Sequence, residues 1–276
     1  MGELEITFLG TGTSHGIPVI GCQCQVCHSA DPRDRRLRTS TILRHEGYQI
    51  QIDTTPDFRQ QCLREGLVQI DAVLYTHSHS DHIMGFDDLR RFCEMENKDM
   101  PVYGSRRTLQ DLARVFDYAF SGNFRYPNYV RPLPNAIDGP FELGGLTVTP
   151  VELPHGRMVT TGFVFSTGER KLLAYFTDCQ DVPQEAVAAA RGCEILVVDA
   201  LRHANHPTHM SLSQATGVAE QVAAHQTYFI HMCHELGHAE TEELLPDNIR
   251  LAYDGLRVTI SGGPPVRVAG LPLRDS

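Results

Sequence analysis

Thr76-His77-Ser78-His79-Ser80-Asp81-His82 packs four potential metal ligands into six positions. It follows an apolar run, residues 72–76, that reads as a strand. In an extended segment residues i and i+2 face the same way, so His77 and His79 can grip one ion. Where the chain turns, Asp81 and His82 can face a second ion close by. Imidazole and carboxylate together suit zinc, manganese and iron. A chance polar loop is the plain alternative, but three histidines so close are improbable by accident. A closed structural zinc site is the better rival. Such sites usually rely on cysteine, and this cluster has none, which favours an open catalytic centre.

Such a cluster needs partners from elsewhere in the chain. His155, Asp178 and His231 each follow an apolar run: 147–153, 171–177 and 228–230. Alone, each reads as a cap or turn residue. Together they share the first cluster's position, the carboxyl end of a strand, where α/β proteins gather ligands. Asp53 also ends an apolar strand and is expected beneath the cluster, bonding to loop backbone.

The rest of the pattern sets the architecture. Residues 4–9 read as a strand entering the Gly10-Thr11-Gly12 loop. Runs 39–45 and 48–53 flank Glu46-Gly47 as a hairpin. Helices are expected over 56–65, 87–95, 109–118, 183–191 and from the Ser211/Gln214 capping box through 224. Further strands are expected over 146–152, 162–166, 171–177, 194–199 and 228–231. Residues 122–135, rich in Pro, Asn and aromatics, read as a loop over one face. Strands come early in pairs and later alternate with helices. This predicts an α/β fold, a four-layer αββα sandwich. No linker or low-complexity segment interrupts it, so residues 1–276 are expected to form one domain.

Composition narrows the function. The 41% hydrophobic and 21% charged content suits a globular chain rather than a disordered one. The net charge of −10 disfavours non-specific binding to nucleic acid or membrane. A small anionic substrate stays compatible, because bound cations reverse the local field. No apolar run approaches the roughly 18 residues of a membrane span. The N-terminus reads as a strand, not a signal peptide. A cytoplasmic location is expected, and a homodimer is left open.

The pattern His-x-His-x-Asp-His, then a distant His, an Asp and a last His, resembles the metallo-β-lactamase superfamily over most of the chain. The resemblance implies the αββα fold and two active-site ions. It places His77, His79 and His155 on the first ion, and Asp81, His82 and His231 on the second. Asp178 bridges both. The metal itself, Zn, Mn or Fe, is not fixed by these side chains.

Gly21-Cys22-Gln23-Cys24-Gln25-Val26-Cys27 is a second signal. Three thiolates at this spacing can hold three corners of a tetrahedron around zinc. From spacing alone the fourth ligand is open among Cys233, His234 and His28. Reduced loop cysteines are the bland alternative. The other cysteines, scattered along the chain, read as small buried hydrophobes. One branch of the superfamily pairs such a cluster with a histidine three residues after the last catalytic one. The chain is similar to that branch, the phosphoribosyl cyclic phosphate phosphodiesterases of the carbon–phosphorus lyase pathway. The resemblance implies a structural zinc on Cys22, Cys24, Cys27 and His234. Leu9–Thr13, Gly16-Ile17-Pro18, the segment 207–212 and Tyr253-Asp254-Gly255 also fit. There the branch carries a catalytic-site histidine before a helix, which implies His209.

The expected activity is therefore that of a binuclear metal-dependent hydrolase. The favoured reaction is phosphodiester cleavage of a small cyclic or nucleotide-like phosphate by a metal-bridging hydroxide held by Asp81 and Asp178. His209 is expected to steady the phosphate and protonate the leaving alkoxide. Rival activities on the same fold are thioester, lactone or β-lactam hydrolysis and transfer-RNA 3′ processing. A metal-dependent binding protein is the non-enzyme alternative. His203, His206 and Arg157 lie in segments next to assigned ligands. Any could contact substrate phosphate, and the default reading is a solvated loop residue, while His15, His45, His225 and His238 receive no role.

Overall fold

Side-chain alternation builds the layers. Along the first strand Leu4, Ile6 and Phe8 point into one core and Leu9 into another. Farther on, Ile195 and Val197 face that first core while Leu196 and Val198 face a third. Strands apolar on both faces must be covered on both sides, by a second sheet and by helices. The computed structural model, which describes residues 2–121, 128–261 and 266–268, has this arrangement.

The first sheet starts with β1 (Leu4–Gly10), β2 (Ser40–His45), β3 (Tyr48–Ile52), β4 (Ala72–Leu74), β5 (Met100–Gly104) and β6 (Pro132–Ala136). The second holds β7 (Phe141–Leu143), β8 (Leu146–His155), β9 (Met158–Thr167), β10 (Arg170–Phe176), β11 (Ile195–Asp199), β12 (Gln226–Ile230) and β13 (Ile249–Leu251). The chain then returns to the first sheet as β14 (Arg257–Ile260) and β15 (Val266–Val268). The orders are β15-β14-β1-β2-β3-β4-β5-β6 and β13-β12-β11-β10-β9-β8-β7. Strands β3 to β6 run parallel in one sheet, β10 to β13 in the other.

Between the sheets lies a core with Phe8, Leu43, Leu74, Phe163, Tyr175 and Val197. Outside the first sheet pack Phe58, Phe86, Leu89, Phe92 and Leu112. Outside the second pack Ala186, Val187, Ala215, Val218 and Ala219, from the helices Gln184–Ala190 and Leu212–Val222. The Leu212–Val222 helix opens with the expected capping box, Ser211 with Gln214. The expected αββα sandwich is the fold. Among the described residues no helix is long and apolar enough to cross a membrane.

The differences have local causes. Of the expected loop 122–135, residues 122–127 lie outside the described residues, and Pro132–Ala136 is a strand. Its two prolines are tolerated because β6 is a sheet edge. The helix expected over 87–95 is a 3₁₀ turn, Phe86–Leu89, followed by a helix, Arg90–Met95. Gly85 fixes that turn: its N–H donates to Thr54 O at 2.9 Å, and an added Cβ would meet Thr55 O at 2.1 Å. The helix expected over 109–118 starts earlier, at Arg106, where Ser105 Oγ accepts from Thr108 N. Phe116 then breaks the helix before Asp117–Phe120.

Candidate metal centre

The expected ligands come from strand ends in both sheets. β3 runs into Asp53, β4 into the 76–82 segment, β8 ends at His155, and β10 and β12 run into Asp178 and His231. Asp53, Asp178 and His231 have left-handed backbones, with φ of 57°, 53° and 60°. Asp and His tolerate that region better than most side chains. Each chain therefore turns sharply as it leaves its sheet.

Asp53 lies beneath the cluster, as expected. Its Oδ1 accepts from Thr76 N at 2.9 Å. Its Oδ2 accepts from Thr76 Oγ1 at 2.8 Å and from His82 Nδ1 at 2.7 Å. The last bond places the His82 proton on Nδ1 and leaves Nε2 free to face inward. His155 is oriented in the same way, with Nδ1 donating to Thr208 O at 2.8 Å. Such outer bonds fix ring orientation and tautomer in metal sites.

Two donor groups result. One atom each from His77, His79 and His155 lies within 4.8 Å of the others, and the same holds for Asp81, His82, Asp178 and His231. Asp178 spans the groups: Oδ1 is 3.3 Å from His82 Nε2, and Oδ2 is 3.3 Å from His231 Nε2 and 3.9 Å from His77 Nε2. His155 Nε2 faces His79 Nδ1 at 3.4 Å. The Nε2 atoms of His77, His82 and His231 are buried with no hydrogen-bond partner. Buried polar atoms are nearly always satisfied, so orphans in one place point to a missing partner.

The charges agree. Burial holds His77 and His155 below the ordinary imidazole range, which keeps a lone pair on each ring. Burial would also lower His82, but the carboxylates of Asp178, Asp81 and Asp53 outweigh it and push His82 well up. Against the effect of burial, His82 and His231 hold Asp81, and His231, His82 and His77 hold Asp178, well below the usual carboxylate range. The pocket thus attracts positive charge, and its donors are borderline nitrogens and carboxylate oxygens. Divalent cations fit it.

The cysteine loop forms a separate group. Cys22, Cys24 and Cys27 Sγ lie 3.2, 3.6 and 3.6 Å from His234 Nδ1. Sulfurs also accept backbone N–H groups: Cys24 Sγ from Cys27 N, which holds that thiol down at about 6, and Cys27 Sγ from Val19 N. The two other candidates for the fourth place are elsewhere. His28 is exposed, its Nδ1 donating to Cys24 O, and Cys233 Sγ accepts from Glu235 N. Arg36, fully buried, holds the His234 loop by donating to Cys233 O and Leu236 O.

Beside the first centre opens a cleft of about 390 Å³ lined by Ser14, His79, Asp81, His155, Arg157, Met158, Asp178, Thr208, His209 and His231. His209 stacks on His231, with ring centroids 4.7 Å apart. Its Nδ1 donates to Asp199 Oδ2 at 2.7 Å. Burial lowers the His209 pKa, yet Asp199 outweighs that and raises it to about 9. Asp199 has no role in the sequence reading. Its signal was there: like Asp178, it ends a buried strand, and its Oδ2 also accepts from Cys179 N at 3.1 Å.

Residues 48–232 match the beta-lactamase superfamily domain. The chain belongs to the metallo-β-lactamase superfamily. This superfamily member is 40% identical to a solved diphosphatase of the PhnP family, with a TM-score of 0.86, covering 96% of this chain and 99% of that one. Zn²⁺-bound PqqB from Methylobacterium extorquens shares the fold at 21% identity and a TM-score of 0.73, covering 92% and 99% of the two chains. An octanoyltransferase of Porphyromonas gingivalis (strain ATCC BAA-308 / W83) is 38% identical over 267 residues, 93% of this chain. The chain spans about half of that relative, 52% of its length. The class is that of a metallo-β-lactamase-fold hydrolase, with His and Asp clusters that could hold metal ions.

Proposed function

We propose that the protein is a phosphodiesterase with two active-site metal ions, acting on a small phosphorylated substrate. The observation that carries this reading is the set of buried, unpartnered Nε2 atoms around Asp178. His77, His79 and His155 would hold one ion, Asp81, His82 and His231 the other, with Asp178 between them. Zinc, manganese or iron suits the donors. Bound there, the cations would lower the pKa of water and clamp phosphoryl oxygens. Zinc on Cys22, Cys24, Cys27 and His234 would be structural. The likeness to a PhnP-family diphosphatase supports phosphorus chemistry over acyl chemistry.

The chain's own part is positioning and proton transfer. The cleft, about 390 Å³, admits a small phosphate ester. Asp199 fixes the His209 proton on Nδ1 and turns the other edge of the ring away from Asp199. His209 would steady the phosphoryl group and donate a proton to the leaving alkoxide oxygen. Asp199 keeps His209 protonated for that step.

The metal-loaded protein should hydrolyse bis-p-nitrophenyl phosphate and leave thioesters and β-lactams intact. Acyl cleavage without phosphodiester cleavage would overturn the reading. His209→Ala should lower kcat by about 10²–10⁴ with its metal content, read by elemental analysis, unaltered. Unchanged turnover removes His209 from the mechanism.

A further inference from the structure

Three of the five donor histidines are steered by bonds on the outer edge of their own rings. His82 donates to Asp53 and His155 to Thr208 O. His77 Nδ1 donates at 3.0 Å to Thr76 Oγ1, whose own proton goes to Asp53. His79 is different. It is the exposed member of the first donor group. Among the described residues its ring has only a fellow donor within hydrogen-bond reach, His155. Backbone pairing does not hold the stretch before it either. Among the described residues the main chain of His77 and Ser78 makes no hydrogen bond.

The side chain between the two donors does hold it. Ser78 Oγ donates to Asp111 Oδ2 at 2.8 Å. Asp111 belongs to the helix Arg106–Val115, whose Leu109 and Leu112 pack into the core outside the first sheet. Its carboxylate is also oriented from within that helix. Arg107 Nε donates to Oδ2 at 3.0 Å and Arg114 to Oδ1 at 2.8 Å, one turn to either side. Asp111 is 8% exposed, whereas the side chains of Arg107 and Arg114 are 75% and 74% exposed. Burial would raise the Asp111 pKa, yet Ser78 and Arg107 outweigh it and hold Asp111 below the usual carboxylate range. Ion pairs with such exposed arginines add little to stability. They do not account for a carboxylate buried at this place, whereas the Ser78 hydroxyl does.

We propose that Asp111 is a positioning residue for the first metal ion: through Ser78 it fixes the backbone between His77 and His79, and with it the place of the His79 ring. This rests on the reading of two ions in the active site. Groups that orient ligands from outside govern metal affinity by about 10–100-fold. The second group, Asp81, His82, Asp178 and His231, has no such link to Asp111.

Manganese(II) alone is the probe, because thiolates suit it poorly and the cysteine loop stays out of the count. Protein loaded with manganese is dialysed against falling free Mn²⁺, and the ions left per chain are read by elemental analysis. The native protein should hold two. Ser78→Ala and Asp111→Ala should each weaken one ion by about 10–100-fold and leave the other within about twofold. Asp111→Asn keeps an oxygen for the Ser78 hydroxyl and should lose less. The double variant should lose no more than either single one, because both changes cut the same tether. A merely structural role for Asp111 would weaken both ions together with the fold. Two ions held by Ser78→Ala as tightly as by the native protein overturn the proposal, and so do losses that add in the double variant. Should Asp111→Ala not fold, Ser78→Ala and Asp111→Asn decide the matter by the same measure. A native protein that holds a single ion, weakened in Ser78→Ala, would keep the tether and sink the two-ion reading. A native protein that holds none would sink both.

Discussion

The two candidate metal centres sit three residues apart at one point, His231 and His234, yet they are built in opposite ways. The histidine–carboxylate centre draws donors from His77 to His231, out of both sheets, from strand ends and the segments that follow them. Its rings are already oriented by Asp53 and Thr208. The cysteine centre takes three donors from Cys22–Cys27 and one from His234. Between Gly12 and Ser40 the chain has one short 3₁₀ turn, Pro32–Asp34, and otherwise only isolated bridges. The sheets position the first centre, whereas the second lies in a segment with little regular structure, and we propose that an ion there would help hold its shape. Metal loss should therefore abolish chemistry at one and loosen structure at the other.

Asp178→Ala probes the first half of that contrast and should have the largest effect. It removes the carboxylate that His77, His82 and His231 share. Activity should drop by at least about a thousandfold, since the metals supply several kcal/mol of catalysis. Thermal unfolding and the zinc proposed for the cysteine loop should change little. A collapse of the fold in this variant would break the contrast.

Cys24→Ser probes the other half. Losing a thiolate should cost the loop its zinc and about 3 kcal/mol of linked stability. For a chain of this size that is roughly 5–10 °C in Tm. Activity should fall only a few-fold, through slack in the His231–His234 connection. An unchanged zinc count and Tm would show that the three thiols hold no ion.

The contrast also explains what could be read in advance. The first centre was legible because its period-2 cluster, His77 to His82, is local, and because His155, Asp178 and His231 each end an apolar run. Asp199 follows the same rule but was passed over, since a carboxylate with no histidine neighbours carries no mark of its own. His234 could not be told from His28 or Cys233 by spacing, because the loop that brings it home is pinned by buried Arg36, far away in sequence. Strands β5, β6, β7, β13, β14 and β15 are absent from the sequence reading, and for β5, β6 and β13 the reason is physical too. They are short, and β5 and β6 contain proline, so position in the sheet decides them rather than propensity.

The smallest expected effect concerns the strut between the centres. Met232, between His231 and His234, exchanges backbone hydrogen bonds with Thr11 and Thr13. Thr11 Oγ1 in turn donates to Asp254 Oδ1 at 2.9 Å, and Leu37 N donates to Oδ2 at 2.8 Å. The Asp254 side chain is 5% exposed, with Arg64 3.3 Å away. Burial outweighs Arg64 and these donors, and lifts the Asp254 pKa to about 6. A carboxyl raised in the folded state favours folding while protonated. Its contribution is complete below the ordinary value of 3.8 and fades as pH rises through about 6. Two units correspond to about 3 kcal/mol. Asp254→Asn removes the titration. Whatever the stability gap between the two proteins at pH 3.5, denaturant unfolding should show it shifting by about 3 kcal/mol towards the variant by pH 7. A gap flat with pH would mean that Arg64 holds Asp254 ionised throughout, and that the strut is a permanent ion pair rather than a buried acid.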